Sequence, residues 1–234
     1  MEYKISICIP TYNMGGLGKQ YLKESLDIIV NQTYKNIELV ISDHSIDDEI
    51  IELCDEYKEK INIKYIRNSN KIGNSSSNTN NAILNASGEI IKILFQDDFL
   101  SSNDSLLNQL TSLIESNKKW SITPCLHCES NDINKLIDPY YPKMNNNILF
   151  ENTLSSPSTV MLFKDVFLEF DDNLIWYMDT DFYKRMYDKY GNPDICNTFN
   201  IVNRRHKLQI TRKIINNDII SFETNYLKNK YKNE

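Results

Sequence analysis

Two adjacent carboxylates, Asp97 and Asp98, follow Gln96 at the end of the apolar run Ile90–Phe95. Neighbouring negative charges repel, and a divalent cation that bridges them to phosphate oxygens removes the repulsion. Mg²⁺ and Mn²⁺ favour such oxygen ligands and share them with substrate phosphates. The pair also reads as a solvated turn or helix start, with Ser101, Ser102 and Asp104 close by. Asp43 closes a second run, Glu38-Leu-Val-Ile-Ser42. An acid there accepts hydrogen bonds from a base or ribose in nucleotide-binding α/β folds, or caps a turn. Asp179 and Asp181 head an amphipathic stretch. Acids in that position complement a helix dipole, and one of them can instead serve as a general base toward an acceptor hydroxyl. Arg204-Arg205-His206, followed by Gln209 and Thr211, suits contact with a diphosphate or a metal, or forms a surface charge patch.

Other constellations carry less. Cys125-Leu-His-Cys128 is half of a zinc site without a second pair, and reads as strand residues. The chain has no P-loop, no GxGxxG and no GxSxG, which removes kinase-like, dehydrogenase and esterase readings. Gly15-Gly16-Leu17-Gly18-Lys19 is a faint version of the triphosphate loop of a nucleotidyltransferase, which also sets acids at a metal-binding strand end.

Strands and helices must alternate to position these groups. Residues 5–9, 38–42, 61–66 and 90–95 read as strands. Between them lie helical patterns at 18–31, after the cap Asp47, and at 78–86. That order predicts an α/β unit with a mainly parallel sheet. Ligands of such sheets bind beyond the carboxyl ends of the strands, where Thr11-Tyr12-Asn13, Asp43-His44-Ser45 and Asp97-Asp98 collect. Beyond Ser105–Ser116, a further helix, the pattern loosens into strand-like pieces at 122–125 and 159–163 around a polar loop at 130–147. A helix over 179–190 follows, and from 216 a last helix ends in a frayed tail.

Of the 234 residues, 41% are hydrophobic and 25% charged, enough to bury a sizeable core. The formal charge is -6 and the basic residues are scattered, which excludes a groove for nucleic acid. No signal peptide opens the sequence, and no segment reaches the roughly 18 apolar residues of a membrane span. Five cysteines without framework spacing fit a reducing, cytoplasmic setting, with peripheral contact to a membrane open.

Taken in order, six segments resemble glycosyltransferase family 2, the inverting family of GT-A fold. Ser6-Ile-Cys-Ile-Pro-Thr-Tyr-Asn13 resembles its opening strand and base-contacting turn, and Glu38–Ser45 the strand that carries its base-contacting aspartate, here Asp43. Asn70–Gly73 through Asn85–Glu89 is similar to the stretch before the metal site, and Leu94-Phe-Gln-Asp-Asp98 to the family's DxD region. Met178-Asp-Thr-Asp-Phe-Tyr-Lys-Arg185 resembles the segment of the catalytic base, and Arg204-Arg-His206 with Thr211 a late Arg-x-His motif. The chain departs from the pattern at Ser42 and His44, where the family has Asp and Gly, and at Met178, where it has Glu.

The resemblance implies one GT-A domain over 1–234, with a nucleotide-binding half at 1–100, an acceptor-binding half at 101–215 and a terminal helix and tail at 216–234. It implies a nucleoside-diphosphate sugar as donor, held at Pro10, Thr11, Tyr12, Asn13, Asp43, Asn78, Gln96, Asp97 and Arg204. Mn²⁺ or Mg²⁺ would sit at Asp97, Asp98 and His206, with Asp179 as catalytic base and a glycan, lipid-linked or protein acceptor along Ser155–Thr159 and Trp176-Tyr177. Two further readings are a nucleotidyltransferase and a non-catalytic nucleotide-sugar-binding module of the same fold.

Overall fold

The computed structural model describes residues 2–129, 132–209, 212 and 216–232. Four parallel strands form its frame: β1 (Ile5–Thr11), β2 (Ile37–Asp43), β3 (Ile63–Arg67) and β4 (Ile90–Ile93). Helices α1 (Gly18–Ile29), α2 (Glu49–Tyr57) and α3 (Ser75–Leu84) make the crossovers. Both faces of the inner strands β1, β2 and β4 are covered, so these are rich in apolar residues, with polar side chains such as Ser6, Glu38 and Lys92 buried among them. In β1, Ile5, Ile7 and Ile9 enter one core cluster and Cys8 the other; Leu39 and Ile41 oppose Val40 in β2 in the same way. Each fully buried aliphatic side chain contributes about 1.5–3 kcal/mol.

The second half adds β5 (Phe99–Leu100), α4 (Ser105–Ser116), β6 (Trp120–Ile122), β7 (Cys125–Glu129) and β8 (Asp132–Tyr140). Then come β9 (Val160–Phe163), α5 (Met178–Tyr190), β10 (Asp194–Ile195), β11 (Ile201–Arg205) and α6 (Asn217–Lys230). The larger sheet runs β10-β6-β9-β4-β1-β2-β3, with β9 antiparallel to both neighbours. The smaller runs β5-β11-β7-β8. The mixed, mostly parallel α/β architecture expected from the sequence is therefore the one observed.

Two expectations need correction. The segment read as a polar loop at 130–147 contains β8, which pairs antiparallel with β7 at a sheet edge. Its solvent-facing positions carry polar residues, so the alternation of a half-buried strand was hidden. Helix α3 begins before Asn78, because the Asn74 side chain caps it by accepting the Ser77 N–H at 2.8 Å. The last helix expected from 216 is observed as α6, with Leu227 and Glu223 buried.

Helix α3 also joins the halves. Its Asn80 exchanges two hydrogen bonds of 2.8 Å with the backbone of Phe170, and Ser76 Oγ donates to Leu174 O at 3.0 Å. Those polar pairs fix the approach to α5, and with it Asp179.

Candidate active site

A cleft of about 560 Å³ opens beyond the carboxyl ends of β1 and β4, walled on the far side by the loop before α5. The turn after β1 is built by Asn13, whose Oδ1 accepts the Gly16 N–H at 2.7 Å while its amide donates to Asp47 and Glu49. At Gly18 a Cβ would lie 2.2 Å from Tyr12 O, so only glycine lets α1 start against this turn. The glycine run is thus accounted for by backbone geometry. Gln96 locks the same corner, accepting from Tyr12 N–H at 2.9 Å and donating to Gly18 O at 2.8 Å. The Tyr12 ring is left exposed on the cleft wall.

Asp97 and Asp98 diverge. The Asp97 carboxylate faces the cleft, with Oδ2 2.8 Å from His206 Nε2. The Leu208 N–H donates to His206 Nδ1 at 3.2 Å, so the ring proton sits on Nε2 in this arrangement. Asp98 turns into the protein: Oδ2 accepts from Ser158 at 2.6 Å, and Oδ1 accepts the Arg204 N–H at 3.1 Å. Burial, and then the charge of Asp97, raise its pKa above the ordinary carboxylate range. Asp98 is therefore the brace beneath Asp97 in this geometry, and its direct metal contact is not offered. Among the described residues no three His, Cys, Asp or Glu converge on a metal-sized site. Asp97 on the cleft, with the buried His206 ring against its carboxylate, nonetheless fits Mn²⁺ or Mg²⁺, whose other ligands would come from phosphate oxygens and water. For His206 to hold the ion through Nε2, the ring proton would have to sit on Nδ1 and the Leu208 contact would be given up.

Asp179, in the first turn of α5, lines the opposite side. Its Oδ2 accepts from Asn152 Nδ2 at 2.6 Å and its Oδ1 from the Thr180 N–H at 2.8 Å. Desolvation outweighs these bonds and, with the charge of Glu223, lifts its pKa to about 7. A carboxylate so poised suits proton abstraction near neutral pH. Phe150, Ile175, Trp176 and Tyr177 form an apolar and aromatic wall beside it.

Several residues expected in the site stand behind its wall. Asp43 is fully buried, its Oδ1 engaged by Thr11 Oγ1, Ser45 N–H and Ser45 Oγ, and its Oδ2 by Tyr65 OH at 2.7 Å. Thr11 is buried with it. Arg204 lies between the Tyr21 and Phe99 rings, 4.3 and 5.4 Å from their centroids, and pairs with Glu24 at 2.6 Å. Nucleotide contacts by Thr11, Asp43 and Arg204 are not offered by this arrangement. Asn78 reaches the cleft, but its amide is spent on Ser42 Oγ at 2.6 Å and Thr11 O at 3.0 Å. Pro10, Tyr12 and Gln96 line the cleft. Thr211 lies outside the described residues.

Sequence reasoning missed Asn152, and it placed His44 at the strand ends without giving it a role. His44 lines the cleft and ties down the loop opposite, with Nε2 3.1 Å from Asn70 O and Nδ1 accepting the Gly73 N–H. Its signal was present as the departure from glycine. Asn152 had none, since it arrives from a remote irregular loop.

A mostly parallel α/β sheet with Asp97, held by His206 of the smaller sheet, on one side of a cleft and the poised Asp179 carboxylate on the other has the architecture of the GT-A glycosyltransferases. The sequence model described as Glycosyl transferase family 2 matches residues 6–209, and the chain belongs to that family. It is 35% identical over 104 residues to glycosyltransferase GlyG of Streptococcus pneumoniae, covering 44% of this chain and 33% of that protein. The structure of TarS 1-349 from Staphylococcus aureus in complex with UDP-GlcNAc superposes with a TM-score of 0.71 at 19% identity, covering 87% of this chain and 59% of that one. The mannosyltransferase PcManGT from Pyrobaculum calidifontis, in complex with GDP-Man and Mn²⁺, gives 0.60 at 14% identity, covering 97% and 62%. The chain spans about a third of the length of GlyG, the first of the curated relatives it matches. Among the described residues no helix is long and apolar enough to cross a membrane.

Proposed function

We propose that this chain transfers a sugar from a nucleoside-diphosphate donor to an acceptor hydroxyl with inversion at the anomeric carbon, in glycan or polysaccharide assembly. The observation that carries the reading is the pair of opposed walls in one cleft: Asp97 with His206 on one side, Asp179 with its pKa near 7 on the other. The TarS complex with UDP-GlcNAc and the PcManGT complex with GDP-Man and Mn²⁺ support a nucleotide sugar as donor and a divalent cation as cofactor.

In this reading the nucleotide lies along residues 1–100, its base against the exposed Tyr12 ring near His44. Asp97 and His206 would hold Mn²⁺ or Mg²⁺, which would supply Lewis-acid stabilisation of the departing diphosphate. Asp98, Arg204 and Asp43 set the height and rigidity of that wall from behind. The acceptor, a glycan free or linked to lipid or protein, rests on Trp176 and Tyr177 in the second half, at the cytoplasmic side. Asp179 accepts the proton of the attacking hydroxyl, and the Asn152 amide steadies the ionised carboxylate. The nucleotidyltransferase reading loses its main support, because the glycine run forms a capped turn rather than an open cradle.

The test is a donor screen with Mn²⁺ on wild type, Asp97→Ala and Asp179→Asn. One nucleotide sugar should bind in a metal-dependent manner, with binding lost in Asp97→Ala and kept without turnover in Asp179→Asn. Binding of nucleoside triphosphates alone would overturn the transferase reading, and unchanged binding with no turnover in wild type would leave a binding module.

A further inference from the structure

Helix α6 reaches the site through one buried carboxylate. Glu223 is 2% exposed, and the hydrogen bonds it accepts come from three consecutive backbone amides. Ile175 N–H donates to Oε1 at 2.8 Å, and Trp176 and Tyr177 N–H donate to Oε2 at 3.0 Å each. Convergent amides of this kind make an anion-binding concavity, and bonds to an ionised acceptor are about twice as strong as neutral ones. The anion here is a side chain 46 residues downstream of Tyr177.

The three amides lead directly into α5, whose second residue is Asp179. Helix α6 holds α5 at a second place: Asp181 Oδ1 accepts from Lys230 and Tyr231, both at 2.7 Å. Asp171, just upstream, accepts from Tyr226 at 2.8 Å and from Lys230 at 2.7 Å. Leu227 seals the contact. Packing alone would be served by an apolar side chain in place of Glu223, since a buried carboxylate is costly unless its bonds do something an aliphatic group cannot. What it does is fix the backbone of the acceptor wall.

We propose that Glu223 is a positioning residue for sugar transfer, clamping the 175–177 turn so that Trp176, Tyr177 and Asp179 keep their places relative to the donor wall. The proposal rests on the assignment of Asp179 as base. The groups facing Asp179 are Glu223 from α6, Asn152 from the preceding loop and Tyr183 from its own helix. Asp181 is matched by Arg185 and Lys230. Glu223 is thus the neighbouring charge that disfavours ionisation of Asp179.

The experiment compares Glu223→Gln and Glu223→Asp with wild type in the full chain, reading kcat, both KM values and the pH profile. In Glu223→Gln, kcat/KM for the acceptor should fall about tenfold or more while donor KM stays within about twofold. Its acid limb should move to lower pH, because a neighbouring negative charge is gone. Glu223→Asp keeps the charge, so its limb stays while part of kcat is lost. A variant that loses activity only in proportion to its folded fraction, with KM values and limb unchanged, overturns the proposal. Failure of both variants to fold also overturns it, since Glu223 would then serve the fold alone. Wild-type turnover in Asp179→Asn would instead refute the base assignment, whatever Glu223 does.

Discussion

Asp179 is governed by opposing influences. Burial disfavours its anion, while the Asn152 amide at 2.6 Å and the Thr180 N–H favour it. A base must be ionised to work, so kcat/KM should rise with pH through an apparent pKa of about 7 and fall away in acid. Asn152→Ala removes a donor that only the anion fully exploits. The limb should then move up by on the order of one pH unit, with the alkaline plateau largely kept. A limb that stays in place would show that the titrating group is not Asp179. The residues of the opposite wall divide in the same manner. Asp97 faces outward and Asp98 inward, although the sequence presents them as equivalents.

Strand β4 shows how elements carry these residues. Lys92, in the middle of an otherwise apolar strand, is fully buried, donating to Gln109 Oε1 at 2.8 Å and to Ser158 O at 2.7 Å. Ser158 in turn donates to Asp98, so the strand interior holds the turn that braces the acidic pair. Burial lowers the Lys92 pKa from 10.5 to about 7. Between those values the unfolded chain binds the proton and the folded chain does not, so this group makes stability rise with pH over that window. Unfolding titrations at pH 7 and pH 10 should therefore show wild type gaining on Lys92→Met as pH rises. A gap that is constant with pH would mean Lys92 stays charged in the fold. At the head of α1, Gly18→Ala should cost roughly 1–3 kcal/mol by forcing the Tyr12 corner open, measurable by denaturant unfolding. Much of this level was legible beforehand. The strands β1, β2 and β4 are largely apolar because both faces are covered, and the acidic pair after β4 marked the cleft. Strand β8 was not legible, since one exposed face fills its sequence with polar residues. Nor was the enclosure of Asp43, which depends on Tyr65 from the neighbouring strand, or Glu223, whose partners are backbone amides and leave no trace in residue type.

For the whole molecule, the cleft lies between two walls that belong to different parts of the chain, joined by α3, α5 and α6. A donor that binds the folded state alone stabilises it by RT ln(1 + [L]/Kd), about 2.7 kcal/mol at a hundredfold excess over Kd. For a chain of this size that corresponds to a rise in Tm of roughly 5–10 °C. The cation is expected to be shared between Asp97, His206 and the diphosphate, so neither component alone should give the full shift. On the proposed assignment, Mn²⁺ without nucleotide would meet two protein ligands among the described residues, Asp97 and His206, and nucleotide without Mn²⁺ would face the unscreened Asp97 carboxylate. Thermal melts of wild type with donor, with Mn²⁺ and with both should thus show a gain from both well above the sum of the two. In Asp97→Ala that excess should vanish, whereas in Asp179→Asn, on the proposed acceptor side, it should persist. Equal shifts for nucleotide with and without Mn²⁺ would mean that the diphosphate is neutralised by protein cations instead. Arg204 could not be the cation responsible without leaving Tyr21, Phe99 and Glu24, and that movement would itself lower Tm.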